Sequence, residues 1–401
     1  MKLKKGMITK LGYAFYDFSN SGYVIIFQSF LFPILFANLI KDKVKTPASI
    51  WGWAISLSVL LAIVIAPFIG RFADVKSKSR PFAILVTGVG IISFVTSVFI
   101  SDHMIALMLV FILFNAMFEL TQTLYDAFLR DIAKTDEEVT KLSTFAWGFG
   151  YLGGILFALI YLILNSIGFQ IRYILALSSI LYTAFSIFPI VIFWRLDNKY
   201  ISTVSKQKEV NLIRYIFKSK IPFDIKPLLI YWIIADCVAA ILYHSSIFAK
   251  TELNISDRTI GILMICVQLL AFPATWYAGK LASKIGIVKT IRGSLVIWCC
   301  VLMILYCSTR LIHLIFALVL TALVIGTTQS LLRAHFATKI DSQISGEGFG
   351  FFGIANKSAS IVSPALVSIA AAITGSIRPA FFILMLFVAV AIYFSKFLNK
   401  K

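Results

Sequence analysis

Residues 70–80 read Gly70-Arg-Phe-Ala-Asp74-Val-Lys76-Ser-Lys78-Ser-Arg80, and residues 279–289 read Gly279-Lys-Leu-Ala-Ser283-Lys-Ile-Gly-Ile-Val-Lys289. Each stretch is a Gly-x-x-Ala-[Asp/Ser] turn followed by spaced cations, and each lies between two apolar runs. The two glycines stand 209 residues apart in a chain of 401. A second pair of features has nearly the same offset: Asp17 and Asp236, in the first apolar run of each half, are 219 residues apart. The longer loop 41–49 after the first run accounts for the difference. Two such registered features predict a duplicated chain, built as two related halves around a common plan.

Composition decides the solvent. Sixty per cent of the residues are hydrophobic, 14% are charged, and mean hydropathy is +0.92. A soluble chain carries roughly a quarter charged residues, so this one must place its surface in lipid. Twelve spans are expected, over residues 11–38, 49–70, 81–100, 103–128, 143–165, 170–195, 227–249, 258–282, 287–308, 311–332, 348–374 and 378–397. Most supply the ~20 apolar residues that a helix needs to cross a bilayer. The fold class is therefore an all-α membrane protein with twelve transmembrane helices in two pseudo-symmetric six-helix lobes. The lobes are expected over 1–196 and 227–401, joined by a basic cytoplasmic linker over 197–226.

The net charge of +19 belongs to the loops and not to a nucleic-acid-binding face. With the N-terminus inside, the seven cytoplasmic segments hold 28 Lys and Arg and the opposite loops hold 8, leaving Lys357 inside a span. That asymmetry places both termini in the cytoplasm. The N-terminal Met1-Lys2-Leu3-Lys4-Lys5 resembles a signal-peptide start, but the run behind it is too long and contains Asp17, so it reads as a retained first helix. The five cysteines all fall inside spans without Cys-x-x-Cys spacing and read as small buried hydrophobes.

Two other motifs are discounted. Gly148-Phe-Gly150-Tyr-Leu-Gly153-Gly154 satisfies G-x-G-x-x-G, yet a dinucleotide site needs a preceding strand and a helix start in water. In an apolar run the same glycines let helices approach closely. Asn254-Ile-Ser256 is a glycosylation sequon on an outside loop, relevant only in a secretory pathway.

Ionisable and amide side chains inside the spans mark the chemistry, since each is costly in lipid and must face water or a partner. Asn115, Glu119, Gln122, Asp126 and Arg130 form one stripe on span four. Asp17, Asn20, Ser21 and Gln28 form another on span one. Asp236, Tyr243 and His244 group on span seven, and Thr321, Thr328, Gln329 and Arg333 on span ten. Asn20, Thr328 and Ser360 fit inter-helical hydrogen bonding equally well. The residues expected to bind substrate or couple protons are Asp17, Asn20, Glu119, Gln122, Asp236, His244, Gln329 and Lys357, the last as counter-ion or anion anchor. Arg333, near the cytoplasmic end of span ten, can snorkel.

The hairpins are expected to form a cytoplasmic gate from Gly70, Asp74, Lys78, Arg80, Gly279 and Ser283. A carboxylate at 74 can dock against the positive end of a neighbouring helix, while Lys76, Lys78 or Arg80 meet headgroups or acidic side chains. Ser283 carries no charge, so any such latch is expected on one side only.

These residues also resemble a known group. Gly70-x-x-Ala-Asp74 resembles the cytoplasmic-loop signature of the major facilitator superfamily, with Ser77 in place of the usual glycine. Tyr13-Ala-Phe-Tyr-Asp-Phe-Ser-Asn-Ser21, Tyr125-Asp-Ala-Phe-Leu129, Gly148–Gly154, Gly326-Thr-Thr-Gln-Ser-Leu-Leu-Arg333, Gly350-Phe-Phe-Gly353 and Asn356-Lys357-Ser358 resemble the branch that contains the autophagy-related vacuolar amino-acid effluxers. The resemblance implies a two-lobe permease working by alternating access, with a central site between the lobes.

The expected function is secondary active transport of a small polar solute, such as an amino acid or related metabolite, driven by protons. A carrier of larger amphiphiles (lipid, metal chelate or drug) and a non-transporting membrane sensor are the alternatives. No Ser-His-Asp order, metal cluster or phosphate loop points to an enzyme. The expected partners are a small-molecule substrate, a coupling proton and membrane lipids, with no nucleic acid and no cofactor. The chain is expected to act as a monomer in a bacterial inner membrane.

Overall fold

The computed structural model describes residues 2–29, 31–32, 35–36, 47–99, 104–204, 226–358, 373–374, 376 and 378–399. These residues are helical almost throughout, with no strand among them. Twelve helices follow the expected spans: α1 (Lys2–Tyr23), α2 (Pro47–Val75), α3 (Ser79–Val98), α4 (Met104–Ala127), α5 (Asp136–Ser166), α6 (Ile171–Val204), α7 (Lys226–Thr251), α8 (Asp257–Ile285), α9 (Ile287–Cys307), α10 (Leu311–Lys339), α11 (Ser345–Ser358) and α12 (Arg378–Phe394). Nine of them are, among the described residues, long and apolar enough to cross a membrane. Their outward faces carry residues such as Leu60, Val64, Ile91, Ile105 and Leu109, all exposed. With the backbone along each span bonded within its own helix, such a surface is stable only in hydrocarbon.

Helix boundaries run past the apolar limits at several ends. α1 begins at Lys2, and α5 begins at Asp136 with Asp136, Glu137 and Glu138 in its first turn, where carboxylates complement the helix dipole. Ser256 accepts from the Thr259 N–H and caps α8, which ends at Gly286 with φ 98°. That left-handed value favours glycine and lets the chain reverse directly into α9.

The chain forms two compact units. The first gathers residues 1–134, 149–221 and 340–351, and the second gathers 135–148, 222–339 and 352–401. Within the first, α3 lies against α6, α2 against α4 and α1 against α6; within the second, α10 lies against α8 and α9, and α9 against α12. Aromatic rings fill the first unit: Tyr13 stacks on Tyr125 at 4.2 Å, Tyr16 contacts Tyr125 and Phe82, and Phe128 stacks on Phe193 at 4.1 Å. The glycines of the discounted dinucleotide motif explain themselves here. A Cβ on Gly153 would lie 1.9 Å from the Phe18 carbonyl oxygen, and one on Gly150 would lie 2.7 Å from Ser21 Oγ, so both glycines let α5 touch α1. The linker over 197–226 falls mostly outside the described residues.

Candidate functional site

The first hairpin meets the start of α11, and both belong to the first unit. Asp74 Oδ1 accepts the Gly346 N–H at 2.8 Å and Oδ2 accepts the Glu347 N–H at 2.8 Å. The first N–H groups of a helix have no intrahelical partner and carry its positive dipole end, so a buried carboxylate satisfies both needs at once. Two glycines make the approach feasible: a Cβ on Gly70 would meet the Gly346 carbonyl oxygen at 2.1 Å, and one on Gly346 would meet the Gly70 carbonyl oxygen at 2.5 Å. Gly350, one turn on, abuts the backbone of Ala66 and Pro67 in the same way.

Charged side chains reinforce this contact. Lys78 Nζ lies 2.9 Å from Asp131 Oδ2 and 3.8 Å from Asp74 Oδ1, and it donates to Ser345 Oγ at 2.7 Å and to the Ser342 carbonyl at 3.0 Å. Arg71 pairs with Glu347 at 2.6 Å, with side chains 8% and 4% exposed. Arg80 is exposed, its guanidinium 6.0 Å from the Trp194 ring centroid. Asp197 Oδ2 accepts from the Ser79 N–H and hydroxyl, both at 2.8 Å, and so caps α3. Arg71, Asp131, Gly346 and Glu347 are site residues that sequence reasoning missed. The signal was available in Asp341-Ser-Gln-Ile-Ser345-Gly-Glu347, a helix-start composition that lies just before the apolar limit of span eleven.

The second hairpin meets α5 in the second unit. A Cβ on Gly279 would lie 2.0 Å from Thr144 Oγ1 and 3.5 Å from Lys141 Cα. Ser283 Oγ turns back to donate to the Gly279 carbonyl at 2.9 Å. Arg333 is 1% exposed and does not snorkel. It donates from Nε to Ser143 Oγ and from a terminal nitrogen to the Ser143 carbonyl, both at 2.9 Å, while its guanidinium lies 4.9 Å from the Trp147 ring centroid. Tyr231 bonds His335 Nδ1, and Thr328 bonds Ser294 and Trp298, as an inter-helical tie would.

The intramembrane polar residues divide between the units. In the first, α1 passes at its end into a π-helical stretch, Val24–Ser29. Gln28 Nε2 there donates to Asn115 Oδ1 at 2.8 Å and to Glu119 Oε1 at 3.1 Å, and Asn115 Nδ2 donates to Ser58 Oγ at 2.6 Å. Gln122 Nε2 donates to Asp126 Oδ1 at 3.2 Å. Asp17 is buried, 5% exposed, and Asn20 is half-buried. In the second unit Asp236 is 1% exposed, and Gln329 and Lys357 are half-buried. The side chains of Tyr243 and His244, and all of Ser360, lie outside the described residues. Neither Asp17 nor Asp236 faces hydrocarbon.

The model of the family described as "Vacuole effluxer Atg22 like" matches residues 43–401. The uncharacterized MFS-type transporter YxiO of Bacillus subtilis (strain 168) is 24% identical over 96% of this chain and 94% of its own. Autophagy-related protein 22-1 of Neosartorya fischeri is 23% identical over 62% of this chain and 46% of its own length. Among solved structures, the transporter FucP in its outward conformation superposes with a TM-score of 0.73 at 14% identity, covering 98% of this chain and 99% of that one. The human organic anion transporter MFSD10 gives 0.72 at 14% identity, covering 97% and 98%. The protein is therefore a multi-pass membrane transporter and not an enzyme: its fold is that of the major facilitator superfamily, and it belongs to the Atg22-like family.

Proposed function

We propose that the protein moves a small polar solute, an amino acid or related metabolite, by proton-driven alternating access, as a monomer in a bacterial inner membrane with both termini cytoplasmic. The observation that carries this reading is the Asp74 contact with the first turn of α11, which ties the two sequence halves together through two glycines and two N–H groups. A contact made by a few directional bonds over glycine backbones is suited to breaking and re-forming as a unit. The positive-inside asymmetry supports the orientation. The carboxylates of Asp17 and Asp236, both buried, and of half-buried Glu119 supply protonatable groups, and Lys357 supplies a positive one, the two signs of charge that a zwitterion carries.

The test is flux in proteoliposomes under an imposed pH gradient, with amino acids tried first. Uptake that follows the gradient and is lost in Asp236→Asn is expected. Flux indifferent to both would rule out proton coupling, and the absence of exchange for any small polar solute would rule out the transport assignment.

A further inference from the structure

The hydrogen-bond directions around Gln28 select one kind of ligand. Ser58 Oγ donates to the Ile55 carbonyl at 2.7 Å, so it receives Asn115 Nδ2 on a lone pair. Asn115 Oδ1 receives Gln28 Nε2, and the same nitrogen donates to Glu119. An ionised carboxylate only accepts, which fixes the Gln28 amide with its NH2 toward Glu119 and commits both its hydrogens. Ser58 and Asn115 are buried (0% and 1% exposed), whereas Gln28 and Glu119 are half-buried. The accessible end of this relay therefore presents acceptors: the Gln28 carbonyl, which makes no hydrogen bond among the described residues, and the Glu119 carboxylate.

Charge points the same way. Over residues 11–29, 47–70, 81–98, 104–127, 142–166 and 173–194, the helices of the first half carry three carboxylates, Asp17, Glu119 and Asp126, and no Lys or Arg. An anion approaching this surface meets acceptors and like charge; an ammonium or guanidinium meets what it needs. Gln28 is carried on the π-helical stretch, a geometry that re-aims side chains and recurs at functional sites.

We propose that Gln28 and Glu119 form a subsite for a positively charged nitrogen group of the transported solute, with Asn115 and Ser58 as positioning residues behind them. This rests on the transport reading above. The test is thermal stabilisation and titration of the purified full chain with L-lysine, L-arginine, putrescine and ethanolamine, against succinate, inorganic phosphate and glucose. The cations should bind and the others should not. Glu119→Gln should weaken cation binding about tenfold or more, the loss of a charged hydrogen bond. Gln28→Met should weaken it several-fold. A purely structural role for Gln28 would lower the ligand-free melting temperature without changing which solutes bind.

The subsite is overturned if no cation binds, or if Glu119→Gln binds cations as the parent does. Exchange of labelled solutes across proteoliposomes separates the two readings. Glucose or succinate exchanging without any cation binding would sink the subsite and leave transport standing. Glu119-dependent cation binding without exchange of any solute would do the reverse.

Discussion

The two hairpins share a glycine, an alanine and a run of cations, yet they make different contacts. Gly70 and Asp74 reach the first turn of α11, where free N–H groups await an acceptor. Gly279 reaches Thr144, two turns into α5, where the backbone is already bonded within the helix. An acid at 283 would find no N–H to accept, and Ser283 bonds its own helix instead. The missing charge of the second hairpin thus follows from where the facing helix begins. α11 starts at Ser345, beside Gly70; α5 starts at Asp136, well before Thr144. The second contact uses a cation, Arg333, bound to Ser143 and stacked on Trp147.

The sharpest way to break the first contact is Gly70→Leu. Its Cβ would meet a backbone carbonyl that cannot rotate away, so flux in proteoliposomes should fall to background. Gly279→Ala meets mainly a threonine hydroxyl at the end of a side chain, so it should retain most flux and stability. Equal loss in both variants would erase the contrast.

Next in size, Glu347→Gln should cost the closed contact about 3–5 kcal/mol, because it leaves Arg71 charged and buried. The double variant Arg71→Gln with Glu347→Gln should recover most of that, as read by a double-mutant cycle on thermal unfolding. Asp74→Asn keeps one acceptor but loses the second and the charge, costing about 1.5–3 kcal/mol. Ser283→Asp should gain nothing. A stabilised second contact in that variant would contradict the geometry described above.

Arg333→Met should cost about 2 kcal/mol through its lost bonds to Ser143, and Arg333→Lys should rescue little, since an ammonium cannot stack flat on Trp147 while bonding both oxygens. The smallest effect belongs to the exposed Glu137–Lys141 pair on the α5 flank, 60% and 52% exposed. Glu137→Gln should change stability by about 0.3–0.5 kcal/mol, and less at high salt.

Much of the fold was legible in the chain, and the reason is local. A helix in lipid must be continuously apolar over about twenty residues, so spans announce themselves without reference to distant neighbours. The polar stripes of α1 and α4 were legible by the same periodicity. Pairings were not. Gln28 and Glu119 are 91 residues apart, Lys78 and Ser345 are 267 apart, and Asp74 and Gly346 are 272 apart. Nothing in a single stretch says which partner will arrive. Arg333 misled because a basic residue near a helix end usually reaches for water, whereas here Trp147 and Ser143 enclose it.

What this amino-acid order determined alone is membrane residence, the helix count and the duplicated hairpin, since each depends on transfer of nearby side chains between water and hydrocarbon. Only the tertiary structure decided that one hairpin docks on a helix end and the other on a helix flank. That choice depends on where a facing helix starts in space, and hydrogen-bond direction then settles which charge each contact can use.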